Sequence, residues 1–179
     1  GITDQDKKIA DYSNDCGKGL IIVVNKWDLI SDKHSTTINE FIKEIKRELP
    51  HADFAEIVFT NALKGQRLTK IFELVDKAYN TNSKKIPTSL LNQVIFEAIA
   101  INPPKSVKNK RLKIYYSTQV CTNPPIFKLF VNKEKLFANN YQRYIINQLR
   151  LSFDFTGAPI KLAIQEKTER AIKRVKKKG

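Results

Sequence analysis

The sequence predicts an α/β chain in two parts: part of a doubly wound parallel sheet, followed by a small α+β domain. Three observations predict this division. Apolar periodicity follows the order αβαβα in the first part and αββαβ in the second. A polar stretch without periodicity at residues 81–85 separates the two parts. Charge changes at the same place: residues 1–82 carry 12 Lys and Arg against 13 Asp and Glu, a net of −1, whereas residues 83–179 carry 20 against 5, a net of +15.

The elements of the first part alternate as a doubly wound sheet requires. Thr3 and Asp6 have the spacing of a capping box at the start of the first helix, at residues 3–12. Residues 20–24 are a continuous apolar run rich in β-branched side chains, which predicts a strand buried on both faces. The other predicted elements are a helix at 37–49, a buried strand at 54–59 and a helix with the apolar stripe Leu68, Ile71, Phe72, Val75 and Ala78.

The second part contains a strand, at residues 112–120, whose apolar and polar side chains alternate strictly. This alternation predicts one buried face and one exposed face. The two predicted faces are Leu112, Ile114, Tyr116, Thr118 and Val120 on one side and Lys113, Tyr115, Ser117 and Gln119 on the other. The other predicted elements are helices at 89–100 and 141–151, strands at 126–131 and 160–164, and a basic helical tail from Lys167 onward.

Composition and charge restrict the function. The longest apolar run has five residues, whereas a membrane helix needs about 20, so we expect a cytoplasmic protein with no membrane partner. Neither the two cysteines nor the two histidines have the spacing of a metal site, and no nucleophile has a plausible catalytic base. The surplus of +15 in the second part indicates that this part binds a polyanion, for which nucleic acid is the best candidate.

The motif Asn25-Lys26-Trp27-Asp28 directly follows the first predicted strand, at the sheet edge where ligands of α/β proteins bind. The Asp28 carboxylate can accept hydrogen bonds from both N1–H and the exocyclic amine of guanine, a donor pair that adenine lacks. The methylenes of Lys26 can lie across the purine face. The Asn25 amide can join neighbouring loops and approach the base edge. The motif therefore predicts a guanine site.

A second loop, residues 60–66, follows the next predicted strand and should emerge beside the first. Its Ala62 backbone N–H is placed to donate to guanine O6. Taken alone, the loop is an ordinary strand-to-helix turn that Gly65 tightens. Next to the first motif, it predicts that two adjacent loops read one base.

These loops are the fourth and fifth signature motifs of the translation-factor-like GTPases, and nearly the whole chain resembles the Der (EngA) GTPases. The resemblance is carried by Gly1-Ile2-Thr3-Asp4-Gln5-Asp6, by Val23 to Leu29, by Ile114-Tyr115-Tyr116-Ser117-Thr118-Gln119-Val120 with Thr122-Asn123-Pro124-Pro125, by Tyr141 to Phe155, and by Gly157-Ala158-Pro159-Ile160. The family has two G domains and a C-terminal KH-like domain. The resemblance implies a bacterial protein that assembles the large ribosomal subunit, binds rRNA, and hydrolyses GTP to GDP with Mg²⁺. The guanine-binding residues that it implies are Asn25, Lys26, Trp27, Asp28, Asn61, Ala62 and Leu63; Asn61 stands where the family usually has Ser.

The chain lacks the motifs that hold the phosphates. It contains no Gly-x-x-x-x-Gly-Lys-Ser/Thr, and Gly17-Lys18-Gly19 precedes its strand instead of following it. The magnesium-binding Asp-x-x-Gly motif is also missing. We therefore expect the 179 residues alone not to hydrolyse GTP, and to be the end of a longer protein whose second G domain starts upstream. Such a partial sheet has a free edge, which suggests a sheet-sharing dimer.

The resulting hypothesis divides the chain into the end of a G domain (1–82), a KH-like domain (83–166) and a basic tail (167–179). The second domain lacks the Gly-x-x-Gly loop with which KH modules clamp nucleic acid, which favours contacts with the phosphates and shape of structured RNA. Two alternatives are an RNA-binding scaffold with a non-functional G-domain remnant, and an Era-like GTPase. The candidate RNA-binding residues are Lys113, Tyr115, Arg143, Arg150, Lys161, Lys173 and Arg174.

Overall fold

The computed structural model describes residues 1–30, 34, 36–106 and 109–167. The chain forms two compact units. The first consists of Gly1–Ser83 together with Phe155–Pro159, and the second consists of Lys84–Asp154 and the chain from Ile160 onward. The division after Ser83 lies one residue from the predicted boundary, whereas nothing in the sequence indicated the assignment of Phe155–Pro159 to the first unit.

The first unit has the predicted αβαβα order, with two parallel strands. The strands pair from Ile21 with Glu56 to Val24 with Phe59, so their carboxyl ends coincide. The elements are α1 (Asp4–Asp15), β1 (Ile21–Val24), α2 (Thr37–Glu48), β2 (Glu56–Phe59) and α3 (Leu68–Asn82).

The predicted capping box at the start of α1 is confirmed. The backbone N–H of Asp6 donates to the Thr3 hydroxyl (3.3 Å), and the Thr3 N–H donates to the Asp6 carboxylate (2.8 Å). Hydrogen bonding by Thr3 lowers the pKa of the Asp6 carboxyl. These bonds satisfy two of the backbone donors left free at the helix N-terminus.

Two burial predictions for the first unit are wrong. Val23 of β1 is 44% exposed, although the strand was expected to be buried on both faces. In α3, Phe72 and Val75 of the predicted stripe are exposed; Ala78 is buried as predicted, and Leu74, outside the predicted stripe, is buried with it. The physical reason is the width of the sheet: two strands cover only a narrow face of each helix, and among the described residues β1 pairs with β2 alone.

The segment Phe155–Pro159 is built into the first unit through its backbone. The Gly157 N–H donates to the Phe54 carbonyl (2.8 Å), and the Gly157 carbonyl accepts from the Leu20 N–H (3.0 Å). The Thr81 hydroxyl donates to the Thr156 carbonyl (2.8 Å). The segment is therefore fixed beside the start of β1, at the opposite end of the strand from Asn25.

The second unit has the predicted αββαβ order and one three-stranded sheet in the order β3-β4-β5. The β3 and β4 strands are antiparallel, and β4 and β5 are parallel. Its core includes Phe127, Leu129, Ile145 and Leu149, each 0% exposed. The elements are α4 (Thr88–Ile101), β3 (Ile114–Cys121), β4 (Ile126–Val131), α5 (Asn139–Phe153) and β5 (Lys161–Glu166).

The predicted strict alternation of β3 is wrong at its centre. Ser117, assigned to the polar face, is 0% exposed. Its N–H donates to the Asn92 side chain of α4 (2.7 Å), and its carbonyl accepts from the same amide (2.9 Å). Register shifts between Ile114 and Tyr116 and between Gln119 and Cys121 interrupt the period of two. The predicted helical tail, apart from Lys167, lies outside the described residues.

Candidate functional site

The two loops predicted to read guanine lie side by side because their strands end together. The Thr60 N–H donates to the Val24 carbonyl (2.8 Å), and the Trp27 N–H donates to the Thr60 carbonyl (3.0 Å). These two bonds extend the parallel ladder of β1 and β2 by one step into the loops. The loop that starts at Asn25 and the loop that starts at Thr60 therefore form one polar edge.

Asn25 connects the two loops. Its Oδ1 atom accepts hydrogen bonds from the Ala62 N–H (3.0 Å) and from the Thr60 hydroxyl (3.3 Å). The predicted role of Asn25 in joining the loops agrees with this geometry. The Ala62 N–H, predicted to donate to guanine O6, here donates to Asn25, so a contact with O6 requires that the bond be shared or exchanged.

Lys26 and Asp28 lie on a tight turn, where both residues are exposed. Lys26 has φ of 58°, a left-handed conformation that is uncommon for a residue with a side chain, and a 3-10 helix at Trp27–Leu29 follows it. The Lys26 side chain is exposed. The Asp28 carboxylate lies 4.0 Å from the Lys64 ammonium, and its side chain is 35% exposed. A base that pairs with Asp28 must therefore compete with Lys64, a residue that the sequence analysis missed.

Trp27 packs against aromatic side chains of α2 and β2. Its ring packs edge-on against Phe41 of α2, with centroids 5.2 Å apart, and tilted against Phe59 of β2, at 4.4 Å. These contacts fix the base of the loop while Lys26 and Asp28 on either side stay exposed. Trp27 thus has the contacts of a positioning residue, although it was included among the nucleotide-binding candidates.

The second loop closes on itself around Asn61. Asn61 and Gln66 exchange two backbone hydrogen bonds (3.0 and 3.3 Å), and the Asn61 Oδ1 atom accepts from the Lys64 N–H (3.2 Å). Asn61 is 3% exposed, and its Nδ2 atom has no hydrogen-bond partner among the described residues. Leu63, at the tip, is 97% exposed. The loop thus presents an apolar side chain to solvent beside the motif predicted to read guanine, and such a side chain could pack on a purine face.

The five candidate RNA-binding residues that the structure describes are divided between the sheet and the helical layer of the second unit. Lys113 lies opposite Asn132 at the end of the sheet, and Tyr115 lies at the first register shift of β3. Lys161 starts β5. Arg143 and Arg150 belong to α5, in the helical layer; Lys173 and Arg174 lie outside the described residues. Lys128 and Tyr116 lie in the same sheet and were not among the candidates.

Two features are absent from the described residues. No group of three or more His, Cys, Asp or Glu side chains is placed to hold a metal ion. None of the helices in the described ranges is long and apolar enough to cross a membrane.

Comparison with known proteins identifies the second unit. Residues 85–165 match the family described as "KH-domain-like of EngA bacterial GTPase enzymes, C-terminal". A parallel α/β unit with an Asn-Lys-x-Asp loop, followed by this domain, defines the class as the bacterial GTPases that carry a KH-like domain.

Relatives extend the match across both units. The chain is 52% identical to GTPase Der of Alkaliphilus oremlandii over 170 residues (95% of the chain) and 48% identical to that of Lactobacillus acidophilus over 162 residues (90%). GTPase Der of Desulfitobacterium hafniense is 46% identical over 169 residues (94%). The chain belongs to the Der (EngA) family and corresponds to the C-terminal part of its members. It spans 37–38% of the length of these relatives.

Proposed function

We propose that this chain supplies guanine recognition and RNA binding to a GTP-hydrolysing protein that assembles the large ribosomal subunit in the bacterial cytoplasm. The observation that carries the first half is the hydrogen bond between the Ala62 N–H and Asn25, at 3.0 Å. It holds two loops at one sheet edge, where a carboxylate and an apolar side chain are both exposed. GTP and GDP are the proposed ligands.

Base recognition follows from the donors and acceptors at this edge. The Asp28 carboxylate accepts from N1–H and N2–H of guanine, and Lys26 and Leu63 lie on either side of the ring plane. The Asn61 Nδ2 atom adds a buried donor behind the second loop. Adenine would place an acceptor and a C–H against Asp28, which would leave the carboxylate without hydrogen-bond donors at a considerable cost.

Exchange of Asp28 for Asn tests this assignment, because the amide replaces one acceptor oxygen of the carboxylate with an N–H donor. In the full-length protein, Asp28→Asn should weaken GDP binding about 100-fold and improve binding of xanthosine diphosphate, whose C2 carbonyl accepts from the new amide. Asp11→Asn, the same chemical change at an exposed position of α1, is the control. A GDP affinity that Asp28→Asn changes by less than threefold would refute guanine reading by this loop.

Hydrolysis, by contrast, is proposed only for the longer protein. The chain contains neither a P-loop nor the magnesium-binding Asp-x-x-Gly, so phosphate binding and Mg²⁺ need residues outside these 179. We expect the isolated chain to release no phosphate from GTP. Turnover by the isolated chain, abolished by Asp28→Asn, would contradict this.

The RNA-binding half of the proposal is supported by the net charge of +15 after residue 82 and by the KH-like match. Binding to ribosomal RNA, with a steep dependence on salt concentration, is the expected result. If the protein bound RNA but no guanine nucleotide, the scaffold alternative would replace the GTPase proposal. The sheet-sharing dimer expected from the free edge of β1 stays a prediction, which light scattering of concentrated chain tests directly.

A further inference from the structure

Within the KH-like unit, the described helices α4 and α5 pack on one face of the sheet and leave its other face without a helix of this unit. On the helix-covered face, Asn92 of α4 hydrogen-bonds Ser117 of β3, and α5 packs beside α4. Side chains that point toward these helices, such as Phe127 and Leu129, are 0% exposed. Because side chains alternate along a strand, the residues between them point away from the helices.

This outward face, which we name the lysine face, carries positive and no negative charge. Phe130 pairs with Tyr116, and Lys128 pairs with Thr118 on one side and Ala163 on the other. Lys161 pairs with Ile126, one diagonal step from Lys128, where Cα atoms are about 7–8 Å apart. The outward residues of the three strands are Tyr116, Thr118, Cys121, Ile126, Lys128, Phe130, Lys161, Ala163 and Gln165, none of which is acidic.

Lys167 completes the lysine face and is held in place. Its backbone N–H continues the β5 ladder by donating to the Val131 carbonyl (2.8 Å). Its ammonium donates to the Tyr116 hydroxyl (2.7 Å) and lies 4.3 Å from the centroid of the Phe130 ring. The Tyr116 and Phe130 rings are themselves stacked, with centroids 4.2 Å apart. The cation is therefore oriented before any ligand arrives, which reduces the entropy that binding must remove.

We propose that the lysine face, centred on Lys128 and Lys167, binds the phosphate backbone of structured RNA. This inference rests on the RNA-binding half of the proposed function and specifies its surface. Phosphate oxygens are the strongest acceptors that a row of ammonium groups can meet, and the unit has a large positive surplus.

The contacts also determine what the lysine face does not read. Phe130 is only 8% exposed, because Tyr116 and Lys167 cover it, so the aromatic pair supports the cation and is not a base-stacking platform. Recognition by phosphates alone is independent of base sequence. The face should therefore bind duplex RNA of different sequences with equal affinity.

The test measures fluorescence anisotropy of the whole chain with a labelled RNA duplex of about 20 base pairs, over a series of salt concentrations. The double variant Lys128→Gln/Lys167→Gln should bind about tenfold more weakly at about 0.1 M salt. Its slope of log affinity against log salt should fall by about 1.8, the amount expected for two lost phosphate contacts on a duplex. The double variant Lys128→Arg/Lys167→Arg should restore both values, since arginine keeps the charge.

The control is Lys85→Gln, which removes one positive charge from an exposed residue before α4 that is not part of the lysine face. It should change the affinity less than twofold. Poly-glutamate serves as an acidic protein competitor that has carboxylates but no phosphates. If poly-glutamate displaced RNA stoichiometrically, and Lys128→Gln/Lys167→Gln weakened the binding of both ligands equally, an acidic protein would replace RNA as the partner.

Two further results would overturn the inference in different ways. If the Lys128→Gln/Lys167→Gln variant bound RNA with wild-type affinity, the lysine face would be excluded as the RNA-binding surface. The proposed RNA-binding function would still stand. No RNA binding by the wild-type chain at low salt would remove both.

Discussion

Gly157 lies against Ala78 of α3 so closely that a Cβ atom on Gly157 would stand 2.8 Å from the Ala78 Cβ. Gly157 also has φ of +77°, a conformation that side chains rarely adopt. Glycine is therefore required here for two independent reasons, contact and backbone conformation.

Gly157→Ala should lower the free energy of unfolding by about 3 kcal/mol, since overpacking and the left-handed backbone both contribute. Urea denaturation of the chain measures the change. Gly65→Ala is the matched control: Gly65 has φ of +66° but no atom within 4 Å of the added Cβ, so only the backbone cost of about 1 kcal/mol is expected. Equal losses in the two variants would rule out the contact with Ala78 as a cause.

Asn25→Ala should loosen the two loops because Ala62 N–H and the Thr60 hydroxyl lose their shared acceptor. We expect a loss of about 1–2 kcal/mol in unfolding free energy and at least a tenfold loss of GDP affinity in the full-length protein. Asn25→Asp keeps the acceptor oxygen, so its stability should stay within about 0.5 kcal/mol of wild type. Asn25→Ala and Asn25→Asp variants of the same stability would show that the side-chain oxygen does not hold the loops.

Leu63→Ser should separate binding from stability. Leu63 is 97% exposed, so its removal should leave the unfolding free energy unchanged. If the side chain covers the purine, GDP should bind about fivefold more weakly in the full-length protein. Leu151→Ser, at a 79% exposed position of α5, controls for general loss of surface apolar area. Unchanged GDP affinity would exclude Leu63 from the site.

Asn92→Ala should destabilise the KH-like unit by about 3 kcal/mol, because it leaves both the N–H and the carbonyl of buried Ser117 without this partner. Gln93→Ala, at the neighbouring position whose side chain bonds only Glu97 across an exposed helix face, should cost less than about 1 kcal/mol. Thermal unfolding followed by circular dichroism distinguishes them. Equal melting temperatures for Asn92→Ala and Gln93→Ala would contradict the prediction.

The ion pair between Lys7 of α1 and Glu48 of α2 gives a pH dependence to stability. The Lys7 ammonium donates to the Glu48 carboxylate at 2.7 Å and lowers the pKa of that carboxyl below its ordinary value of 4.5. A depressed pKa means that the contribution is complete above pH 4.5 and is lost as the pH falls below it. The stability difference between wild type and Glu48→Gln should therefore vanish in acid. A difference that does not shrink as the pH falls below 4.5 would exclude this pair as its cause.

Local rules in the sequence predicted the order of the elements and the adjacent position of the two loops proposed to bind guanine. The capping box of Thr3 and Asp6, the β-branched run before Asn25, and the placement of Asn61 after the next strand each depend on neighbours within a few residues. Predictions failed where burial depended on distant partners. The exposure of Val23 depends on which strand lies beside it, and the burial of Ser117 depends on an amide 25 residues away. The Asn25 tether to Ala62 spans 37 residues, and only the parallel register brings it about.

The position of Phe155–Pro159 has a practical consequence for anyone who cuts this chain into pieces. The polypeptide passes from one unit to the other at residue 83, again at 154 and again at 159. Expressed separately, residues 84–179 would expose Phe155, Ala158 and Pro159 as an apolar patch, since all three are fully buried in the intact chain. Residues 1–83 would in turn lose the Gly157 carbonyl that accepts from the Leu20 N–H, and the Gly157 backbone that packs against Ala78. The five residues Phe155–Pro159 thus belong to the first unit by their contacts, although they lie within the sequence of the second. Cutting the chain after residue 83 therefore gives two incomplete pieces.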